Sequence, residues 1–232
     1  MRWTTLLWKK ERKMHKHRRS VFKILLILLV ILFLLIFAYF YSLSYRSLSN
    51  WPVRYGKDIT EAAERNGLDP HLVCAIVKTE SDFRPTVVAE DGGHGLMQIM
   101  PETGKNIAHD LGMDYSKEAL LDVQTNLQMG TYYFSRLLQK YQSEDLAIAA
   151  YNGGTNQVDG WLDGGTINWQ EDSMENIPVE VTRNYVRKVN QAKKIYSILY
   201  PDQLPEDTSS FSKTALALEH LSNVWTWAFE GL

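Results

Sequence analysis

One glutamate stands on the apolar side of a helical pattern. Leu72, Val73, Ile76 and Val77 recur at helical spacing, and Glu80 follows four residues after Ile76. Glu80 therefore continues the buried face of the predicted helix, where carboxylates are rare. Burial disfavours the ionised form of a carboxyl group and raises its pKa, so such a group can donate a proton near neutral pH. Position alone fits a general acid and a structural core glutamate about equally well.

A stretch rich in glycine and methionine follows this glutamate. GHGLMQIMPETG covers residues 93–104 and begins thirteen residues after Glu80. Closely spaced glycines, two methionines and an uncharged amide would form a poor core, and they favour an adaptable wall beside a bound substrate. Cys74, the single cysteine, lies on the apolar side of the predicted helix and is expected to be buried. We predict no cofactor and no metal site, because the sequence has neither a phosphate-binding glycine loop nor a ligand-spaced His, Cys or carboxylate cluster.

The elements that must hold these residues are mainly helices. Asp69-Pro70 is a start signal, because an N-cap acid precedes a proline in the first helical position. Strand signals are sparse, and only 86–98 is predicted to hold a short hairpin. The glycine-rich connection 153–177 is long for a compact domain and is predicted to be a functional loop. The predicted helices cover 59–66, 70–80, 101–111, 123–141, 145–152 and 181–200.

An uncharged apolar run precedes this helical part. Residues 24–45 contain no charged side chain, and as a helix they would span roughly 33 Å, enough for a hydrocarbon core of about 30 Å. Ten of the first 50 residues are Lys or Arg, which predicts a cytoplasmic amino end. The run is too long for a signal-peptide core, and no A-x-A-like cleavage site follows it. An uncleaved single-pass anchor in a cytoplasmic membrane is therefore predicted over a cleaved signal peptide.

The predicted domains follow from that anchor. They are a basic cytoplasmic tail (1–23), a transmembrane helix (24–45), a linker (46–54), an extracytoplasmic domain (55–200), and a spacer with a C-terminal amphipathic helix (201–232). Within the last segment, 201–211 is expected to be flexible. The helix would align Leu218, Leu221, Trp225 and Phe229, packed on the domain or lying on the membrane or a partner.

Charge is divided between the two sides of the membrane. Residues 1–50 carry a net charge of +9, so the total of −2 leaves −11 for residues 51–232. An acidic outer domain is a poor nucleic-acid binder, and no nucleic-acid partner is predicted. The basic tail is interpreted as a topology signal that also favours anionic lipid.

Four segments of the outer domain together resemble the lysozyme-like lytic transglycosylases, the catalytic domain of the soluble lytic transglycosylases. The segments are Glu80-Ser81 with Phe83 and Pro85, then 92–103, then AYNGG at 150–154, then Ile177-Pro178 followed by TRNYV at 182–186. Their order and spacing are similar to those of the family across 55–200. The resemblance implies a mainly α, lysozyme-like α+β domain, with 93–104 forming the glycan groove beside the acid.

The resemblance also implies a substrate and roles for single residues. Glu80 would be the single acid/base of a peptidoglycan lytic transglycosylase, which cleaves the MurNAc-GlcNAc β-1,4 bond without water and gives 1,6-anhydromuramyl products. Gln98 and Met100 resemble groove residues that contact the sugar. Tyr151 resembles a residue whose hydroxyl lies near the acid, and Asn152 one that positions the sugar or a loop. The implied partners are a glycan strand and wall-assembly proteins.

The chain departs from the family pattern at three positions. The family commonly has a glutamate directly before Thr-Arg in the last block, where this chain has Val181. Glu180 stands one residue earlier, about 100° around a helix, and replaces it in substrate binding only if the helix start has shifted. Ala89 stands where the family often has a serine, which removes a hydrogen bond near the site. His94 occupies a variable position and is expected to be exposed to solvent.

Two other functions compete with this interpretation. A muramidase, which hydrolyses the bond, would need a second carboxylate about 6.5–9.5 Å from the first if it inverts. Glu90 and Asp91 are the candidates close in sequence. A non-catalytic glycan-binding wall protein is the second alternative, although such a protein has no use for a buried acid. Replacing Glu80 by glutamine separates the two classes, because only an enzyme loses turnover.

Overall fold

The computed structural model describes residues 2–168, 174–208 and 221, and helices dominate these residues. No strand is formed there, and the predicted hairpin is reduced to isolated antiparallel bridges that join His94 to Val88 and to Ile99. The predicted mainly helical class is therefore confirmed. The α-helices are α1 (Arg2–Asn50), α2 (Gly56–Arg65), α3 (Pro70–Ser81), α4 (Pro101–Leu111), α5 (Val123–Tyr141), α6 (Glu144–Gly153), α7 (Thr155–Asp163) and α8 (Glu180–Leu199), and 3₁₀ helices cover Glu118–Leu121 and Met174–Asn176.

α1 is one continuous helix of 49 residues. Its part His17–Asn50 is long and apolar enough to cross a membrane by length and composition, with a mean hydropathy of 3.3 in an apolar window. The helix extends beyond 24–45 in both directions, because no glycine or proline interrupts the chain before Pro52. The large apolar side chains from Ile24 to Phe37 are exposed, which suits a segment surrounded by lipid.

α3 forms the centre of the helical domain, and residues 72–77 are all buried. It begins where predicted, since the Asp69 carboxylate accepts a 2.9 Å hydrogen bond from the His71 amide and Pro70 occupies the first turn. α3 packs mainly against α8, and α6 packs against both α5 and α8. The predicted burial of Cys74 is confirmed, and burial raises the pKa of its thiol.

The prediction of one long loop over 153–177 is wrong. After Gly154, whose φ is 85°, the chain enters a further helix, α7, over Thr155–Asp163. Val158 of α7 is buried in the core of the domain. The glycines at both ends and Gly160 within the helix lower its intrinsic helix propensity, which is why the sequence pattern indicated a loop. Tertiary packing overrides that propensity.

The prediction of a flexible spacer over 201–211 is wrong for residues 201–208. The Thr208 amide donates a 2.9 Å hydrogen bond to the Val53 carbonyl, and the Val53 amide donates to Thr208 Oγ1 at 3.0 Å. Gly56 lies so close to this segment that a Cβ at position 56 would overlap the Pro205 carbonyl. Residues 200–208, which we call the C-terminal strap, are therefore hydrogen-bonded to the residues that join α1 to α2.

The end of α8 also contacts the segment that joins α1 to α2. The Tyr196 hydroxyl donates a 2.9 Å hydrogen bond to the Pro52 carbonyl, and its ring meets the Trp51 ring edge-on with centroids 5.8 Å apart. The Tyr200 hydroxyl donates to the Trp51 carbonyl at 3.3 Å. The linker after α1 is thus pinned by α8 and by the C-terminal strap.

The predicted C-terminal helix falls on residues 209–232, which lie outside the described residues except for Leu221. The predicted limits of the outer domain, 55 and 200, stay predictions. For comparison, α2 begins at Gly56 and α8 ends at Leu199.

Candidate active site

Glu80 lies in the last turn of α3 and is partly buried. The Tyr185 hydroxyl, from α8, donates a 2.5 Å hydrogen bond to Glu80 Oε1. Burial raises the pKa of Glu80 to about 7, while the hydrogen bond from Tyr185 acts in the opposite direction and the negative charge of Asp91 raises the pKa further. The sequence predicted a raised pKa for Glu80 from its place on the buried face of the helix, and the structure agrees.

The pair formed by Glu80 and Tyr185 is suited to donating a proton and then accepting one. A carboxyl group with a pKa of about 7 is roughly half protonated at neutral pH, so it can act as an acid and then as a base. Tyr185 stays protonated, because burial and the neighbouring Glu80 charge raise the pKa of its hydroxyl. Tyr185 therefore remains a donor that stabilises the carboxylate once the proton has left.

The resemblance predicts that the Tyr151 hydroxyl lies near Glu80, and in the structure the hydrogen bond to Glu80 comes from Tyr185. The Tyr151 hydroxyl donates a 2.7 Å hydrogen bond to the Met97 carbonyl. It is still close enough for the Glu80 charge to raise its pKa, after the larger effect of burial. Both tyrosines lie in segments that carry the family resemblance, but only the packing of α8 on α3 shows which of them reaches the acid.

Residues 82–100, the α3–α4 loop, are fastened to three helices beside Glu80. From α3, the Ser81 hydroxyl donates to the Leu96 carbonyl at 2.8 Å. From α5, buried Asn126 accepts a 2.7 Å hydrogen bond from the Met97 amide. From α6, Tyr151 holds the Met97 carbonyl. The stretch that looked adaptable from its composition is therefore held in place by hydrogen bonds.

Gly95 and Asn126 fit together closely in this arrangement. The Asn126 amide nitrogen donates to the His94 carbonyl at 2.9 Å and to the Leu120 carbonyl at 2.7 Å. Gly95 has a φ of 75°, and a Cβ there would overlap both the Leu120 carbonyl and the Asn126 amide. A glycine is required at this position for its conformation and for the close approach of α5.

The side-chain amide of Gln98 forms hydrogen bonds within the α3–α4 loop. Its φ of 49° is in the left-handed region, and its Nε2 donates to the Gly95 carbonyl at 2.6 Å and to the Val87 carbonyl at 3.3 Å. Its Oε1 is buried without a hydrogen-bond partner and faces Gly93, where a Cβ would lie 2.9 Å away. The structure thus gives Gln98 a loop-supporting position, and its predicted sugar contact stays a prediction.

Two exposed borders flank Glu80. On the α3–α4 loop, Met100 is 44% exposed, and its methyl group would lie 3.7 Å from a Cβ on Gly92. On the other side the end of α6 presents exposed Asn152. Glu80 itself is influenced by the charge of Asp91 in the α3–α4 loop and is hydrogen-bonded to α8.

Glu180 stands one residue before the position of the family glutamate, and α8 begins at this residue. Glu180 is exposed and lies five residues, about 140° around the helix, from Tyr185. Val181 shares a face with Tyr185 and is 74% exposed. Glu180 and Tyr185 therefore lie on different faces of α8, and the predicted substrate-binding role of Glu180 stays a prediction.

A cavity of about 250 Å³ lies between α4 and α5. Tyr133 in its wall stands next to Tyr151, with ring centroids 5.7 Å apart. The cavity is lined by Thr103, Asn106, Ile107, Asp110, Tyr132, Tyr133 and Arg136.

His94 differs from its predicted state. It is half-buried rather than exposed, and its Nδ1 donates a 2.7 Å hydrogen bond to the Gly92 carbonyl. The tight turn that follows Asp91 folds the imidazole ring back onto the loop. Across the described residues, no group of three or more His, Cys, Asp or Glu side chains could hold a metal ion.

Residues 57–168 match the family model described as the transglycosylase SLT domain. The chain is 36% identical over 145 residues to the soluble lytic murein transglycosylase of Escherichia coli strain K12, with 60% of this chain and 22% of that protein covered. It is 31% identical over 166 residues to the membrane-bound lytic murein transglycosylase C of Serratia proteamaculans, with 62% and 46% covered.

The structure is similar to two solved relatives. For the 70 kDa soluble lytic transglycosylase of Escherichia coli the TM-score is 0.61 at 27% identity, covering 68% of this chain and 26% of that one. For an inactive mutant of the lytic transglycosylase Slt from Pseudomonas aeruginosa the TM-score is 0.58 at 28% identity, covering 68% and 26%. The chain spans less than half the length of these relatives. The predicted resemblance and the lysozyme-like fold class are confirmed.

Proposed function

We propose that this protein is a peptidoglycan lytic transglycosylase with Glu80 as its single acid and base, because residues 57–168 match the transglycosylase SLT domain model. The observation that carries the proposal is the partly buried Glu80 carboxyl, with a pKa of about 7 and a hydrogen bond from Tyr185. The relative from Pseudomonas aeruginosa is inactive when one of its glutamates is changed to glutamine, which supports an essential glutamate here.

In the proposed reaction Glu80 acts twice, first as an acid that donates a proton and then as a base that accepts one. Protonated Glu80 gives its proton to the oxygen of the β-1,4 bond between MurNAc and GlcNAc, and the bond to muramyl C1 breaks. The muramyl 6-hydroxyl then attacks C1, and its proton passes to the Glu80 carboxylate. The products are a GlcNAc end and a 1,6-anhydromuramyl end, with no water consumed. Attack within one molecule benefits from a high effective molarity, which contributes about 7–11 kcal/mol in well-oriented cases.

The surrounding residues would serve this sequence of steps. Tyr185 stabilises the carboxylate between the two proton transfers, and its high pKa keeps it from donating its own proton. Met100 and Asn152 border the bound strand, while Gln98 and Tyr151 act by fixing the α3–α4 loop. The cavity between α4 and α5 offers space for a further sugar.

Membrane attachment is the second part of the proposal. α1 has the length and hydropathy of a spanning helix, and one relative is named a membrane-bound lytic murein transglycosylase. The basic residues before it favour a cytoplasmic amino end, with the catalytic domain facing the wall of a bacterial cell. Contacts with wall-assembly proteins stay a prediction.

A muramidase remains the competing activity, because Asp91 is near enough for its charge to raise the pKa of Glu80. Asp91 is exposed, and one of its carboxylate oxygens accepts a 3.3 Å hydrogen bond from the Gly93 amide. As a second carboxylate it could activate a water molecule. The proposed lytic reaction gives Asp91 no step.

Mass spectrometry of the cleavage products tests the proposal. Purified peptidoglycan is digested with the detergent-solubilised chain, with Glu80→Gln and with Asp91→Asn. We expect products one water lighter than hydrolysed ends, no products from Glu80→Gln, and continued cleavage by Asp91→Asn. Reducing ends alone, lost in Asp91→Asn, would establish a muramidase. Strand binding without cleavage by the parent protein would establish a non-catalytic wall protein.

A further inference from the structure

Three large apolar side chains are exposed in the described chain beyond residue 50. They are Val88 at 51%, Met100 at 44% and Val181 at 74% exposure. A single exposed apolar side chain is ordinary on a protein surface. Val181 is different because of its place, since it is the most exposed of the three and stands on the helix that delivers Tyr185 to Glu80.

Helix geometry places Val181 beside the acid. Val181 precedes Tyr185 by four residues, so the two side chains share a face of α8 about one turn apart. Helical side chains lean toward the helix N-terminus, so the Tyr185 ring extends over the turn in which Val181 lies. The Tyr185 hydroxyl contacts Glu80 Oε1 at 2.5 Å. Val181 therefore lies on the same face of α8 as the residue that contacts Glu80, about one turn before it.

The end of α6 fixes this turn of α8. Thr182 is buried, and its Oγ1 lies 3.2 Å from the position of a Cβ on Gly153. The first turn of α8 is thus packed against Gly153, with exposed Asn152 beside it. Val181 is held in one orientation by its neighbours, while its own side chain remains largely uncovered.

The fold itself does not require an apolar residue at this position. Three quarters of the Val181 surface is exposed, and a β-branched residue is a weaker helix former than most residues. Replacement by threonine, which has the same shape, should leave the stability nearly unchanged. An effect of that replacement on substrate binding can therefore be assigned to lost apolar contact.

We propose that Val181 is a specificity-determining residue that contacts the N-acetyl methyl group of the sugar bound beside Glu80. The inference rests on the proposed function, in which both sugars at the cleaved bond carry an N-acetyl group. The methyl group is one of the few apolar parts of such a sugar, and Val181 is an uncovered apolar surface within about one helical turn of Tyr185. Desolvating a methyl group against valine favours N-acetylated strands over de-N-acetylated ones.

Strand binding by matched variants tests this assignment. The full chain in detergent carries Glu80→Gln, so that strands are bound without being cleaved, and Val181→Thr is added to it. Val88→Thr, the other exposed valine, is the matched control. The probes are glycan strands and the same strands after chemical de-N-acetylation. Val181→Thr should weaken binding of N-acetylated strands roughly threefold to tenfold, the range for one lost methyl contact.

The pattern across the two probes decides the outcome. The proposal requires that Val181→Thr leave binding of de-N-acetylated strands unchanged and that Val88→Thr change neither. In the catalytically active chain, Val181→Thr should raise KM with kcat nearly constant. Unchanged binding of N-acetylated strands, or an equal loss with both probes, overturns the assignment.

The same measurement separates this inference from the proposed function. Binding is measured without turnover, so a parent protein that binds strands but never cleaves them fails the proposed function and still yields the comparison. A parent protein that cleaves strands while Val181→Thr behaves like it overturns the Val181 assignment alone. A chain that binds neither probe overturns both.

Discussion

Replacing Tyr185 by phenylalanine should move the pH dependence of cleavage to more alkaline values. The change removes the hydroxyl that donates to Glu80 Oε1 at 2.5 Å and keeps the ring. That hydrogen bond lowers the pKa of Glu80, so its loss favours the protonated form. A hydrogen bond to a charged group contributes about 1.5–3 kcal/mol. Since one pKa unit corresponds to 1.36 kcal/mol, the pKa of Glu80 should rise by about one to two units.

The assay is the pH profile of kcat/KM for soluble glycan strands. The first step needs protonated Glu80, so the rate of the parent protein should fall as the pH rises through about 7. In Tyr185→Phe the same fall should occur about one to two pH units higher. Asp91→Asn is the control with the opposite sign, because the Asp91 charge raises the pKa of Glu80. Its fall should move to lower pH.

Opposite shifts cannot arise from general damage to the fold. A fall that stays in place in Tyr185→Phe, or that moves to lower pH, refutes the assignment of Tyr185 as the residue that tunes Glu80. Titration of the Glu80 carboxyl carbon by NMR measures the same pKa without substrate. Agreement of that pKa with the pH profile would tie the kinetic group to this side chain.

Three further predictions concern stability. Asn126→Ala leaves the Met97 amide without its buried partner, and it should lower the free energy of unfolding by about 2–4 kcal/mol in urea titrations; a loss under about 0.5 kcal/mol, typical of a surface site, contradicts the fastening of the α3–α4 loop. Gly95→Ala, with a φ of 75° and a blocked Cβ position, should destabilise far more than Gly154→Ala, whose φ is 85° but whose Cβ meets nothing within 4 Å; equal melting temperatures would show that the close approach is unimportant. Glu80→Gln should stabilise the domain above pH 7 by at most about 3 kcal/mol and have little effect below pH 4.5, because the pKa is raised from 4.5 to about 7 and ionisation is therefore penalised only in the folded state; calorimetry at both pH values checks this, and a constant difference contradicts it.

Helix ends and buried helix faces could be predicted from the sequence, because residues a few positions apart determine them. α4 and α5 begin and end at the predicted residues, because Pro101 starts one, Gly112 closes it with a φ of 63°, and the Asp122 carboxylate caps the other. The burial of α3 and the raised pKa of Glu80 followed from helical spacing alone. Each of these conclusions needed only residues a few positions apart.

The rest depends on contacts between residues far apart in the sequence. Tyr185 meets Glu80 across 105 positions, and nothing in the spacing favours it over Tyr151. The pairing of Thr208 with Val53 spans 155 positions, so a stretch that looked like a spacer is ordered by a distant partner. These features follow from how α8 packs on α3, which the sequence pattern alone does not give.

The hydrogen-bonded connection between α1 and α2 has a geometric consequence if α1 is the proposed membrane anchor. Five free residues, 51–55, would let the domain swing over roughly 17 Å around its anchor. Hydrogen bonds from Tyr196, Tyr200 and Thr208 to that segment remove this freedom. The distance from the end of α1 to Glu80 then becomes a fixed dimension of the molecule. Under the proposed function, this dimension sets the height above the lipid at which strands are cut, so that only wall layers at that height come within reach.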